Sequence, residues 1–170
     1  MRNSYEVRAQ RFVKMLAPYL NGCVNCFDYE DALEMFLFDH PYRRIHFDHG
    51  LTRVAFITAD YVVKIDYDPE QVETFGGGEK EIAFYAMAEA EGMGHLFAKI
   101  SRYDYRGRTF YIMPRVTGID DERWESAWDF MTQEECEWCE DHHLYDLHCK
   151  NYGIMHGQVK IFDYGAYDEE

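Results

Sequence analysis

The chain has 170 residues, of which 47% are hydrophobic and 17% aromatic, a composition that supports a packed core and excludes a disordered or fibrous protein. Its 32 acidic against 17 basic residues give a formal net charge of −15, which argues against direct binding of nucleic acid or of an anionic membrane surface. An acidic exterior of this kind suits a basic partner, but a soluble protein without such a partner has the same composition.

Two helices are predicted at the start of the chain, over residues 4–20 and 28–38. In the first, Val7, Phe12, Val13, Leu16 and Leu20 follow helical spacing, and Tyr5 lies just before them. We expect residues 1–43 to form a helical segment that packs on the C-terminal part of the protein. No apolar run is long enough to cross a bilayer, the first residues do not resemble a signal peptide, and the five cysteines are typical of a reducing cytoplasm.

Short segments rich in β-branched and aromatic residues follow, and they predict three strands, a helix and two further strands. The three strands cover 44–47, 53–58 and 61–67, the helix 79–91, and the last two strands 98–103 and 109–113. For residues 119–170, the sequence predicts helices over 121–129 and 132–142, followed by a hairpin that turns at His156-Gly157. The predicted class is α+β, with domains at 44–118 and 119–170 after the N-terminal segment.

Two groups of polar residues fit the requirements of phosphoryl transfer, which are positioning and charge neutralisation. Lys64 closes an apolar strand and needs an acidic partner, for which Glu81 in the next helix is the first choice and Glu79 the alternative. Near the C-terminus, Asp146 and Asn151 form a D-x-x-x-x-N loop, and a hydrophobic strand then ends in the D-Y-G sequence that begins at Asp163. Their oxygen atoms are the type that magnesium prefers.

These motifs resemble the catalytic and metal-binding loops of the protein-kinase-like superfamily. The sequence D-L-H-x-x-N is closest to aminoglycoside and choline kinases, and the longer string D-L-H-C-K-N-Y-G…D-Y-G to short bacteriophage-encoded kinase-like proteins. The similarity covers about residues 44–165. It implies a minimal kinase-like fold, with a five-stranded antiparallel N-lobe sheet and one helix, a truncated helical C-lobe and extra N-terminal helices. It also implies a cytoplasmic location, in the host if the chain is encoded by a phage.

The resemblance assigns a role to each candidate residue, with ATP and Mg²⁺ as cofactors. Lys64 would bind phosphates with Glu81 as its partner, Asp146 would be the catalytic base beside His148, and Asn151 and Asp163 would be metal ligands. The sequence at 111–116 matches the hinge that binds adenine. The remaining nucleotide contacts would come from Thr52 in the phosphate loop, Met113 as gatekeeper, the Pro114 carbonyl and the Val116 amide.

Two features depart from the family pattern. The phosphate loop at 49–54 has one glycine, Gly50, where kinases usually have two or three, and the expected C-lobe lacks the large helical half that binds an acceptor. Two functions therefore stay open: a kinase acting on a hydroxyl of a small molecule or protein, and a weak or inactive kinase-shaped pseudoenzyme that binds or inhibits a partner through its acidic surface. The N-terminal helices or a second copy of the chain would cover the floor of the C-lobe.

Two C-x-x-C pairs, at Cys23 and Cys26 and at Cys136 and Cys139, leave three interpretations open. The cysteines could be structural thiols, they could form a zinc site that joins the N-terminal helices to the C-lobe, or they could be redox-active. The structural interpretation is preferred because the second pair lies in the middle of a predicted helix with Trp138 between its cysteines.

Overall fold

The computed structural model of the chain describes residues 4–68, 70, 72–73, 76–118, 127–144, 147 and 150–164. The chain divides into two compact units, each made from two separate stretches: Met1–Gly78 with Ile100–Arg115, and Glu79–Lys99 with Val116–Glu170. The predicted α+β class is confirmed. Within the described residues, no helix is both long enough and apolar enough to span a membrane.

The described part of the first unit includes two helices near the N-terminus and a five-stranded antiparallel sheet with the strand order β1-β2-β3-β5-β4. The helices are α1 (Ser4–Leu16), continued by a 3₁₀ turn (Ala17–Leu20), and α2 (Cys26–Asp39). The strands are β1 (His46–His49), β2 (Arg53–Ile57), β3 (Tyr61–Asp66), β4 (Ser101–Tyr105) and β5 (Arg108–Pro114). The predicted order of three strands, a helix and two strands is therefore confirmed.

Local chemistry explains the ends of several elements. The Asn25 side chain caps α2 by accepting hydrogen bonds from the amides of Phe27 and Asp28, and the Asp28 carboxylate accepts the Asn25 amide in return. The β4–β5 turn has a positive φ at both Arg106 (52°) and Gly107 (75°), the geometry that matches the twist of a two-residue hairpin.

The N-terminal helices pack on the sheet of the first unit, whereas the sequence analysis expected them on the C-terminal part. Side chains from α1 and α2 share one hydrophobic core with alternate residues of β3, namely Tyr61, Val63 and Ile65. The physical reason is that one face of this sheet is apolar along β2, β3 and β5 and has to be covered. Val7, which was expected to follow the apolar face of α1, is only half-buried, and Ala9 takes its place in the core.

Where the structure describes it, the second unit includes two helices and a three-stranded antiparallel sheet in the order β6-β7-β8. Its elements are α3 (Gly78–Ala90), which begins at the last residue of the first unit, a 3₁₀ turn (Gly94–Leu96), β6 (Thr117–Gly118), a 3₁₀ turn (Ala127–Phe130), α4 (Gln133–Asp141), β7 (Tyr152–Met155) and β8 (Gln158–Ile161). The predicted helix 132–142 and the hairpin at His156-Gly157 are confirmed. Most of the predicted helix 121–129 lies outside the described residues.

An aromatic cluster forms the core of the second unit. Phe84 of α3 and Phe97 lie with their ring centroids 5.3 Å apart, and each also contacts the rings of Trp138 of α4 and Tyr164 at 5.1–5.9 Å. This packing explains why α3 groups with the C-terminal stretch, although the sequence analysis assigned the whole of 44–118 to one domain.

Candidate functional site

Lys64 lies on the face of the sheet opposite the N-terminal helices. Because successive strand residues point to opposite faces, the burial of Tyr61, Val63 and Ile65 against the helices puts Lys64 on the other side with Val62. Lys64 is 6% exposed and pairs in register with Tyr111 of β5, and Val62 pairs with Met113. The predicted phosphate-binding lysine and the predicted gatekeeper therefore share one sheet face, on neighbouring strands.

The same face holds the start of α3. The Asp66 carboxylate, two residues after Lys64, accepts a hydrogen bond of 3.0 Å from the Gly78 amide. A Cβ atom on Gly78 would collide with the ring of Tyr111, and one on Gly77 would lie 2.7 Å from Asp66 Oδ2. Asp66 was not among the predicted site residues, although an acidic residue that precedes a glycine run and a helix N-terminus is a signal for such a contact.

The three residues Glu81, Asn151 and Asp163, which come from distant parts of the sequence, converge inside the second unit. The Asp163 amide donates to the Asn151 carbonyl at 3.4 Å, and the Phe162 amide donates to the same oxygen at 2.8 Å. The next amide along the chain, that of Tyr164, donates to Glu81 Oε1 at 3.4 Å. The main chain at Asp163 and Tyr164 thus bonds to both Asn151 and Glu81.

The hairpin of β7 and β8 brings Asn151 and Asp163 together. Tyr152 pairs with Ile161, so the residues just outside the hairpin, Asn151 and Phe162, face each other and Asp163 follows at once. The turn needs left-handed backbone at His156 (φ 55°) and Gly157 (φ 79°). Asn151 is 8% exposed and Asp163 half-buried, so both lie near the edge of the core.

Burial distinguishes the two glutamates that were proposed as partners of Lys64. Glu81 is fully buried, whereas Glu79 is exposed. A buried carboxylate needs hydrogen bonds or a nearby positive charge to compensate for its lost hydration. The predicted role, pairing with a lysine, would supply such a charge. The two candidates therefore differ in position, with Glu81 inside the second unit and Glu79 on its surface.

Tyr164 fixes the position of Asp163. Its side chain is 1% exposed, packs in the aromatic cluster, and donates a hydrogen bond of 2.8 Å from its hydroxyl to the Ala98 carbonyl. The sequence analysis identified the D-Y-G motif but gave no role to its tyrosine. An anchored neighbour restricts the backbone of Asp163, and a restricted backbone is what the predicted role of Asp163 as a metal ligand requires.

Three other residues in this unit were not singled out from the sequence. Lys160 of β8 is 9% exposed, donates from Nζ to the His95 carbonyl, and has its pKa lowered by burial. Gly153 has to be glycine because a Cβ there would collide with the Thr117 carbonyl of β6. Glu135 caps α4 by accepting from Thr132, and it also contacts His95 at 2.6 Å.

The predicted phosphate loop is a tight turn between β1 and β2. The Gly50 amide donates to the Arg53 carbonyl at 2.9 Å, so this amide is used within the turn. Tyr67 holds the loop through two hydrogen bonds, from its amide to the Thr52 carbonyl at 3.0 Å and from its hydroxyl to the Gly50 carbonyl at 2.6 Å. Thr52 itself is 7% exposed.

The predicted hinge contains the point at which the chain leaves the first unit. Met113 and Pro114 end β5, Arg115 is the last residue of that unit, and Val116 begins the second stretch of the other. The Arg115 amide donates to the Asp60 carbonyl at 3.0 Å. The predicted catalytic residues Asp146 and His148 lie outside the described residues, so their roles stay predictions.

The cysteines favour the structural interpretation. Cys23, Cys26, Cys136 and Cys139 are free thiols, and burial raises the pKa of Cys23 and Cys136 and that of Cys139 to about 12. A protonated thiol is a poor nucleophile, which argues against the redox interpretation. Across the part of the chain that the structure describes, no group of three or more His, Cys, Asp or Glu residues is arranged to hold a metal ion.

Comparisons with known proteins give little further guidance. No protein-family model matches the chain, and no curated protein matches it. Among solved structures, the Legionella pneumophila Lpg2603 kinase bound to IP6 is similar at 12% sequence identity and a TM-score of 0.41, over 76% of this chain and 62% of that chain. The chain thus spans less than two thirds of that kinase, and a likeness at this level does not establish a shared activity.

Proposed function

We propose that this protein is a kinase-like phosphotransferase that uses ATP and Mg²⁺ and transfers phosphate to a hydroxyl of a small molecule or protein. The observation that carries the proposal is the convergence of Glu81, Asn151 and the D-Y-G segment within the second unit. The side-chain amide oxygen of Asn and the carboxylate of Asp are hard donors of the kind that Mg²⁺ prefers. When bound, Mg-ATP supplies the phosphoryl group and the charge that neutralises it.

The protein's own residues have separable tasks in this proposal. Lys64, on the sheet face away from the N-terminal helices, holds phosphate oxygens, and Glu81 keeps its ammonium group in position. Asn151 and Asp163 hold the metal ion, and Asp146 accepts the proton of the acceptor hydroxyl. Thr52, the Met113 side chain, the Pro114 carbonyl and the Val116 amide bind the nucleotide, and His148 supports the catalytic loop.

Isothermal titration with Mg-ATP tests the binding part of this proposal. We expect Asp163→Asn and Asn151→Ala to weaken Mg-ATP binding at least about tenfold, because each removes a charged or polar ligand from a partly buried site. Asp104→Asn is the matched control, since Asp104 is an exposed acid on β4 that pairs with Arg102. No binding of Mg-ATP at millimolar concentration by the wild-type protein would contradict the proposal.

The alternative function, a kinase-shaped protein without phosphoryl transfer, is favoured by the phosphate loop. Its one glycine amide bonds within the turn and is not directed to a ligand. Asp146→Ala separates the two functions, because a catalytic base is needed for turnover but not for nucleotide affinity. If the wild-type protein binds Mg-ATP but shows no phosphate release or autophosphorylation, and Asp146→Ala behaves identically, the alternative is correct.

A further inference from the structure

Helix α2 has two apolar faces, of which the core covers one. Tyr29, Ala32, Leu33 and Phe36 are buried against the rest of the first unit. On the other side, Phe27, Met35 and Phe38 are 71%, 63% and 86% exposed. Since an α-helix turns by about 100° per residue, these three side chains lie within about 80° of arc and point away from Phe36. We call these three residues the outer face of α2.

The three side chains of the outer face do not belong to the hydrophobic core of the first unit or to the residues packed against it. Single exposed apolar residues are normal, but a row of large ones along a helix is typical of a contact surface. Met35 and Phe38 also line a shallow groove together with Glu34 and Asp39. The distance from Phe27 to Phe38 corresponds to about 16 Å of helix, which is the length of three turns of a partner helix.

The charges around the outer face decide which partner fits. Helix α2 contains five acidic residues and no lysine or arginine. Asp31 and Glu34 are exposed; Asp31 lies within the arc of the apolar side chains, and Glu34 lies about 20° outside its edge. A second copy of the chain would bring its own Asp31 and Glu34 against these carboxylates, and like charges across an interface oppose association. A basic partner would be attracted by the same groups.

We propose that the outer face of α2 is a docking surface for a basic amphipathic helix of another protein. The partner's apolar side chains would contact Phe27, Met35 and Phe38, and its lysine or arginine residues would pair with Asp31 and Glu34. This surface shares no residue with the proposed nucleotide site. The docking surface and the proposed function can therefore be tested independently.

Fluorescence anisotropy with a labelled 18-residue peptide tests the proposal. The peptide has Leu at helical i, i+3, i+4 and i+7 spacing and Lys at the other positions, and a second peptide replaces every Leu by Ser at unchanged charge. Phe27→Ser/Met35→Ser/Phe38→Ser removes the apolar row without changing the protein's charge. Leu51→Ser is the matched control, because Leu51 is a comparably exposed apolar residue on the β1–β2 turn.

We expect the triple variant to bind the Leu/Lys peptide at least about tenfold more weakly than the wild type, and Leu51→Ser to bind normally. Asp31→Asn/Glu34→Gln should weaken binding and reduce its dependence on salt. The proposal would be overturned if the wild type bound the Leu/Lys and Ser/Lys peptides equally, or if the triple variant bound the Leu/Lys peptide as tightly as the wild type. Either result would mean that the peptide binds by general charge attraction alone. A wild-type dimer in analytical ultracentrifugation that the triple variant abolishes would also overturn it, because the face would then pair two copies.

Discussion

Glycines show at the scale of single residues how closely the elements of the first unit approach each other. Gly78 and Gly50 differ in what surrounds them: a Cβ on Gly78 would enter the space of the Tyr111 ring, whereas one on Gly50 would meet no atom within 4 Å. Both residues belong to predicted functional segments, yet only Gly78 is required by packing. Gly50 is a glycine for which the folded chain has no steric need.

We expect Gly78→Ala to lower the free energy of unfolding by about 1–3 kcal/mol, because Tyr111 or the start of α3 has to move. Gly50→Ala should change it by less than about 0.5 kcal/mol. Urea denaturation followed by circular dichroism measures both values. Equal stability of the two variants would show that α3 does not start against Tyr111.

At the scale of elements, Arg108 joins the N-terminal helices to the sheet. From the start of β5 it donates to the Tyr29 hydroxyl at 2.7 Å and to the carbonyls of Leu20 and Cys23 at 2.7 and 3.2 Å. Leu20 ends the 3₁₀ turn that follows α1, and its carbonyl also accepts the Cys23 amide at 3.2 Å, so Arg108 adds a second donor to it. One guanidinium group thus connects β5 with α2 and with the segment that links the 3₁₀ turn to α2.

We expect Arg108→Lys to lower the free energy of unfolding by about 1.5–3 kcal/mol, since an ammonium group cannot reproduce the planar fork of donors. Arg106→Lys is the matched control, because Arg106 is an exposed arginine two residues earlier whose guanidinium carbon lies 5.7 Å from the ring centroid of Tyr105. Chemical denaturation of the two variants at neutral pH measures the difference. A loss of the same size in both would mean that the three hydrogen bonds of Arg108 do not stabilise the fold.

At the scale of the whole molecule, alkaline pH should lower the free energy of unfolding, because the buried thiols are ionised more easily in the unfolded state. Cys139 is fully buried on α4, and burial raises its pKa from an ordinary 9.0 to about 12. The native state therefore holds this proton more tightly than the unfolded state does. The resulting stabilisation is complete below pH 9 and is lost progressively as the pH rises from 9 towards 12.

The expected loss attributable to Cys139 is about 1 kcal/mol of unfolding free energy between pH 8 and pH 10. Cys139→Ala should remove this part of the pH dependence, although it lowers stability at every pH by leaving a cavity. Urea denaturation of both proteins at the two pH values measures it. Buried tyrosines such as Tyr29 and Tyr61, whose pKa values burial also raises, contribute equally to both proteins. An unchanged pH dependence in the variant would contradict the expectation.

The sequence by itself determined the order of elements and the proximity of Asn151 and Asp163, because both depend on local patterns. Strand alternation put Lys64 on the same face as Val62, and the turn at His156-Gly157 brought Asn151 beside Asp163. Turn residues and side-chain periodicity act over a few residues, so they can be read without knowledge of the fold.

Only the tertiary structure decided which surfaces meet. It placed the N-terminal helices on the sheet of the first unit, buried Glu81 but not Glu79, and used Tyr164 to anchor the segment that carries Asp163. It also left Phe27 and Phe38 exposed on a helix whose composition gives no sign of which apolar residues are buried. These outcomes depend on packing between segments that are far apart in the chain, and a local pattern specifies that a face is apolar but not what covers it.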